Sequence, residues 1–279
     1  YVVRIVKPVG SLTLTAEPSS PQPYGTAIRL SAAADGGKGT LRYSFYLVSA
    51  DGTESTLSSG STTSEYIWNP SGAGNWQLRA EAADSGDGGS VVSSNVLSFT
   101  VEKGEVAVKD GKEVTAAGSL TYGQPVSEIQ VENAAFTGVQ TGETLLGTFA
   151  FSEPGKILPA GTHAVDWTFT PSDDNYRTLT GILSVTVEKA VPVIRKAPKG
   201  ETSVYHPEKR LGSIALSGGE ADVEGTWRWT SADIVPEAPG GSYACEFVPA
   251  DENDYESVQT QAELVIVILE RGETEVDMV

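Results

Sequence analysis

FTPSDDNY, residues 169–176, is echoed 78 positions later by FVPADENDY, residues 247–255. In both, an F-x-P tripeptide ends a run of alternating residues, an acidic turn follows, and a tyrosine closes the block. Two readings compete. Carboxylates gathered in one turn offer the hard oxygens that calcium takes. The same block written twice is also what a repeated fold produces at one corner of each copy. The choice depends on whether the rest of the chain keeps the same register.

Three stretches end alike: LSFTVEKGEVAV (97–108), LSVTVEKAVPVI (183–194) and VIVILERGETEV (265–276). Their basic markers, Lys103, Lys189 and Arg271, stand 86 and 82 residues apart. Each marker has an alternating apolar run before it and a new run after it, which reads as a last strand, a hinge and a first strand. PYGTAIRLSA (23–32), TYGQPVSEIQV (121–131) and VYHPEKRLGSIAL (204–216) each place a tyrosine and a turn before an alternating strand. GTFAF (147–151) matches GTWRW (225–229), and HAVDWTF (163–169) matches GSYACEF (241–247). The opening pair of blocks falls inside this register, so the repeated loop belongs to a repeated fold.

The local pattern is strand throughout. Phe149/Phe151, Trp227/Trp229, Val165/Trp167/Phe169 and Tyr243/Cys245/Phe247 alternate with period two, and Gly, Pro, Asp and Asn clusters separate the runs. No segment keeps a helical period for three turns. The first repeat differs from the others. GGKGTLRYSFYLVSADGTES (36–55) reads as a hairpin turning at Asp51-Gly52. Trp68-Asn-Pro70 and Gly74-Asn-Trp76 replace the F-x-P block. Short antiparallel strands in units of this size predict β-sandwiches.

Composition narrows the function. The net charge is −18, which repels phosphate backbones and argues against a nucleic-acid partner. It also disfavours anionic membrane surfaces. The single cysteine, Cys245, allows no intramolecular disulfide, so packing must supply the stability. The longest apolar run, 264–269, is far below the ~20 residues of a membrane helix. No signal peptide is visible. The chain starts at Tyr1 and carries its only methionine at position 278, and it is read as a piece of a longer protein.

The second and third repeats resemble the tandem immunoglobulin-like (Big-type) modules of bacterial cell-surface proteins and adhesins. The pattern that carries the resemblance is Gly147-Thr148-Phe149, Pro159-Ala-Gly161, Phe169-Thr-Pro171, Asp173, Asn175-Tyr176 and Val187-Glu-Lys189-Ala190-Val-Pro192. The third repeat keeps Gly225-Thr226-Trp227, Pro239-Gly-Gly241, Phe247-Val-Pro249, Asp251 and Tyr255. It departs by one inserted residue in the acidic loop and by its Leu-Glu-Arg271-Gly end. The first repeat is similar to the wider group through Tyr43-x-Phe45 and its W-x-P block. The resemblance implies an extracellular, non-catalytic, rod-forming role.

Several constellations bear on chemistry. Asp173, Asp174 and Asn175, with Asp251, Glu252 and Asp254, are the candidate calcium ligands. Calcium needs six to eight oxygens, and Asp and Asn also make tight turns by bonding their own backbone, which is the preferred reading. Asp84-Ser-Gly-Asp87-Gly-Gly is a third acidic candidate. The two histidines, His163 and His206, lie in no nucleophile or zinc motif. GGKGT (36–40) lacks the first glycine of a phosphate loop. Cys245 sits at an inward strand position as an inert thiol. Trp68 and Trp76, unlike Trp227 and Trp229, have no counterpart that explains them as core, and are candidates for a sugar-stacking platform. Before the markers, outward positions read Ser98/Thr100, Ser184/Thr186 and Ile266/Ile268. Ile266 and Ile268 are therefore read either as a locally covered face or as an interface with a neighbouring module or another chain.

The expected architecture is all-β: three tandem immunoglobulin-like antiparallel sandwiches, residues 1–103, 104–189 and 190–271, forming an elongated rod. Residues 272–279 are expected to be a linker or the start of a further module. The expected role is non-catalytic, as an adhesion module or rigid spacer of an extracellular bacterial protein. The alternative is a carbohydrate-binding accessory of a larger secreted enzyme. Expected partners are neighbouring modules, and a glycan or host or cell-surface protein. No cofactor is expected, with calcium the single alternative, and no membrane insertion in this segment.

Overall fold

A computed structural model of the chain describes residues 7–269. The Arg271 marker and the segment at 272–279 lie outside them. Among the described residues the regular structure is strand, apart from three single-turn 3₁₀ helices, Ser85–Asp87, Val126–Glu128 and Leu211–Ser213. The all-β expectation is met. The chain forms two compact units. Among the described residues, one takes those up to Thr115 with Val131–Ser152 and Asp166–Ile182; the other takes Ala116–Gln130, Glu153–Val165 and those from Leu183 on.

The first unit contains a complete sandwich. Strands Ser11–Glu17, Ile28–Asp35 and Glu65–Trp68 form one antiparallel sheet. Strands Gln22–Pro23, Leu97–Glu102, Gly74–Asp84, Leu41–Val48 and Glu54–Ser61 form the other, with Ser90–Ser93 beside Gly74–Asp84. Alternate residues face inward, as period two requires. Leu12, Leu14, Ile28 and Leu30 meet Phe45, Leu78, Phe99 and Val101 in one buried core. Each fully buried large side chain contributes about 1.5–3 kcal/mol. This division of strands between two sheets is the immunoglobulin-like arrangement. The predicted hairpin forms: Gly52 has φ 84°, its N–H donates to Ser49 O at 2.9 Å, and Asp51 Oδ1 accepts from Thr53 N–H at 2.9 Å.

Part of the second repeat lies in the same unit. Val106–Val108, Phe136–Gly138 and Thr144–Leu145 form a three-stranded sheet. The Phe136 ring stacks on Phe169 at 3.9 Å, and Phe149 stacks on Trp167 at 5.3 Å. The second unit holds a parallel pairing of Leu120–Thr121 with the end of Leu179–Glu188, Leu120 facing Val187. It also holds the third repeat. There Val258–Val267, Gly240–Pro249 and Gly225–Trp229 are the long neighbours in the larger sheet. Their core joins Leu211, Ile214, Trp229, Cys245, Ala262, Leu264 and Ile266.

The two later repeats share one register. Phe149 pairs with Phe169 and Phe151 with Trp167, as Trp227 pairs with Phe247 and Trp229 with Cys245. The glycine of the G-T motif has a steric cause, because a Cβ on Gly147 or Gly225 would meet the ring of Phe169 or Phe247. Cys245 is fully buried, and burial pushes its thiol up from the ordinary value, which fits the inert reading.

One expectation is overturned. Ile266 does not face outward; it is 3% exposed and part of the third core. Equivalent parallel pairings place Val101, Val187 and Ile266 at the same point, opposite Gln22, Leu120 and Ser203. That spacing is 86 and then 79 residues, whereas the basic markers are 86 and then 82 apart. The difference of three is odd, and an odd slip exchanges the two faces of a strand. The outward residues are Val265 and Val267, followed by Ile268, which is exposed as expected.

Candidate functional site

The repeated acidic loop forms part of a joint. In the first unit, Asp173 Oδ1 accepts from Asn175 N–H at 2.9 Å, and Tyr176 N–H returns to Asp173 O at 3.1 Å. This turn aims the next residues at the preceding repeat. Asn175 Oδ1 accepts the N–H of Ala73 at 2.9 Å. Gly104 N–H donates to Asn175 O at 2.8 Å, and Arg177 N–H donates to Gly104 O at 2.9 Å. Tyr176 is buried; it meets Tyr24 edge to face at 5.4 Å, and its hydroxyl bonds that of Thr141 at 2.9 Å. Arg177 reaches Glu102 at 2.9 Å and Glu105 at 3.5 Å.

The second unit builds the same joint from the next pair of repeats. Asp251 Oδ1 accepts from Asn253 N–H at 3.1 Å, and Tyr255 N–H returns to Asp251 O at 3.2 Å. Asp254 Oδ1 accepts the N–H of Ala160 at 2.6 Å. Ala190 N–H donates to Asp254 O, and Glu256 N–H to Ala190 O, both at 2.9 Å. Tyr255 meets Tyr122 edge to face at 5.3 Å. The inserted residue is absorbed within the turn, so Asp254, not Asn253, stands where Asn175 stands. Lys189 Nζ donates to Glu252 O at 2.5 Å. Burial, and after it the nearby Asp173, raises the Tyr24 phenol; burial, and then Asp254, raises that of Tyr122. Both tyrosines therefore stay neutral at physiological pH.

The candidate calcium ligands are accordingly divided. Asp173, Asn175, Asp251 and Asp254 accept backbone N–H groups, while Asp174 and Glu252 are exposed. Among the described residues no three Asp, Glu, His or Cys side chains converge as a metal ion would require. His163 Nε2 hydrogen-bonds Pro159 O at 2.7 Å, and His206 Nδ1 accepts from Glu208 N–H at 3.2 Å. Trp68 is 2% exposed and meets half-buried Trp76 at an interplanar angle of 74°. The pair therefore offers no flat platform for a sugar ring. Sequence reasoning missed Ala73, Ala160, Gly104 and Ala190, which act through the backbone alone. It noted Tyr24 and Tyr122 without assigning them a partner.

Two glycine-rich stretches singled out by sequence are packed together. Asp84 is buried, and its carboxylate accepts N–H bonds from Lys38 at 2.7 Å, Gly39 at 2.8 Å and Gly86 at 2.9 Å. Lys38 Nζ reaches Asp87 at 2.6 Å. The Lys38 N–H bond, ahead of the opposing effect of burial, holds the Asp84 carboxyl below its usual value. A lowered folded value means stability that is present above the unfolded pKa and lost as pH falls through the folded one. The melting temperature of the first sandwich is expected to hold from neutral pH to about 4 and then fall. Asp84→Asn should lower the plateau by about 5–15 °C, since an amide cannot accept all three donors. It should also make the acid limb shallower, while Asp51, Glu54 and Asp87, likewise held down, keep part of it. Thermal unfolding followed by circular dichroism across pH checks both. An unchanged plateau would remove the structural role.

No family model matches the chain, and no curated protein matches it. Among solved structures, fibronectin(III)-like modules of Clostridium thermocellum CbhA are similar at 15% identity, covering 63% of this chain and 94% of that one with a TM-score of 0.27. A tetra-tandem repeat from the extending region of a large adhesion protein is 14% identical over 92% of this chain and 74% of that one, TM-score 0.35. A Ca2+-stabilized adhesin that helps an Antarctic bacterium bind ice is 14% identical over 96% and 76%, TM-score 0.35. No helix among the described residues is long and apolar enough to cross a membrane. Each of these three TM-scores lies below 0.5.

Proposed function

We propose that the chain is a non-catalytic spacer within an extracellular bacterial surface protein. It would consist of three immunoglobulin-like modules, residues 1–103, 104–189 and 190–271, that hold another part of the protein away from the cell. The single observation behind this reading is the joint built twice from equivalent parts. An Asx oxygen on a backbone N–H, a two-bond clamp on a linker residue and an edge-to-face tyrosine pair occur at both places. A chain that only tethered its modules would need none of these, because a flexible linker orders nothing. Fixing the linker costs backbone entropy of about 1–2 kcal/mol per residue, and the repeated clamp offsets it at each joint.

Small-angle scattering tests the proposal. The native chain is expected to scatter as an extended particle of limited bending. Asn175→Ala with Asp254→Ala removes one bond per joint, about 1 kcal/mol each, and should broaden the distribution of dimensions without unfolding any repeat. A compact native particle, or a double variant with an unchanged profile, would count against the spacer.

A further inference from the structure

We infer that the carboxyl-terminal end of the third repeat is a docking surface for an Asx-Tyr loop on a further sandwich module, the same contact that joins the repeats already described. The inference rests on the joint reading above. Each joint has an acceptor side, supplied by the earlier repeat. In the first it is Tyr24, whose N–H donates to Glu102 O, with the Ala73 N–H and the linker residue Gly104. In the second it is Tyr122, whose N–H donates to Glu188 O, with Ala160 and Ala190. The third repeat presents the same parts. Tyr205 N–H donates to Val267 O at 2.9 Å, directly after the pairing of Ser203 with Ile266. Ala73 precedes Gly74, which pairs with Val101. Ala238 precedes Pro239, whose carbonyl accepts from Ile266 N–H at 3.0 Å. Leu269 follows Ile266 by three residues, as Gly104 follows Val101 and Ala190 follows Val187.

What differs is the cover. Tyr176 and Tyr255 lie against Tyr24 and Tyr122, whereas Tyr205 is 43% exposed. Among the described residues nothing accepts from the Ala238 N–H. Val204, Val267, Ile268 and Leu269 are exposed beside them, an apolar group of the kind that marks an interaction surface. Val267 stands where Glu102 meets Arg177 in the first joint. The occupant should therefore carry its Asx-Tyr pair with an apolar side chain in place of Arg177.

The test continues the chain directly after Leu269 with a second copy of residues 105–269, so that Leu269 keeps the linker position, and with Arg177→Leu in the added copy. Amide exchange resolved to single residues is then followed at Ala73, Ala160 and Ala238. Ala238 is expected to exchange at least about tenfold more slowly in the extended chain. Tyr205→Ala, or Asn175→Ala in the added copy alone, should restore the fast rate. Equal rates with and without the extension would overturn the inference, as would protection that neither variant removes. Slow exchange at Ala160 of the added copy confirms that it has folded. If Ala73 and Ala160 of the native chain also exchange freely, the joints themselves fail. If they are slow while Ala238 stays fast, the docking surface alone does.

Discussion

Ile266→Ser is expected to unfold the third repeat and leave the others standing. Ile266 is 3% exposed and packs in the core that holds Leu211, Ile214, Trp229, Cys245 and Leu264. Truncating a buried isoleucine costs about 2–5 kcal/mol through lost transfer energy and the cavity left behind. The serine hydroxyl adds about 1–3 kcal/mol if it finds no partner. A loss of about 4 kcal/mol is a large part of what a domain this small has in reserve. Chemical denaturation followed by tryptophan fluorescence reads it, because Trp227 and Trp229 report on that repeat. Ile268→Ser is the control: at 68% exposure its effect should stay within about 0.5 kcal/mol. Equal effects from the two substitutions would mean that the strand register is wrong.

The second large effect falls on the first joint. Tyr176→Ala removes a buried ring that meets Tyr24 edge to face and whose hydroxyl bonds Thr141. Loss of a buried aromatic costs about 3–5 kcal/mol, and a well-oriented aromatic pair accounts for about 0.5–1.5 kcal/mol of such a loss. We expect about 3 kcal/mol from Tyr176→Ala and about 1 kcal/mol from Tyr176→Phe, which keeps the ring and loses only the hydrogen bond. Tyr255→Ala should cost less, because Tyr255 is only half-buried. Thermal unfolding by calorimetry would rank the three variants. Indifference to Tyr176→Ala would show that the ring only covers surface.

Strand alternation made most of the fold legible. The pairs Phe149/Phe151 with Phe169/Trp167, and Trp227/Trp229 with Phe247/Cys245, fall in the register that the motifs predicted. The last strand was misplaced because the marker chosen for it was a charge, Arg271, and a charged residue type need not keep the spacing that core packing imposes on apolar ones. The tyrosine-to-tyrosine step from Tyr176 to Tyr255 is 79 residues, the spacing that the parallel pairings also require. Had the buried ring been taken as the ruler, Ile266 would have faced inward. The joints were half legible. FTPSDDNY was recognisable as a recurring corner, and three tyrosines were noted before three strands. Their partners were hidden, because Ala73 and Ala160 contribute only a backbone N–H, which leaves no trace in residue identity. The count of parts was the available clue: three such tyrosines, Tyr24, Tyr122 and Tyr205, against two Asx-Tyr loops.

The clamp also gives the array a direction in time. In each joint the receiving parts, such as Tyr24, Ala73 and Gly104, come earlier in the chain than the loop that seizes them, such as Asn175 and Tyr176. A polypeptide is synthesised from its amino terminus, so every receiver emerges before its grip. Each newly completed repeat can close backward onto one already formed, while its own receiving parts stay uncovered until the next loop has been made. Growth by this rule adds one locked increment per repeat.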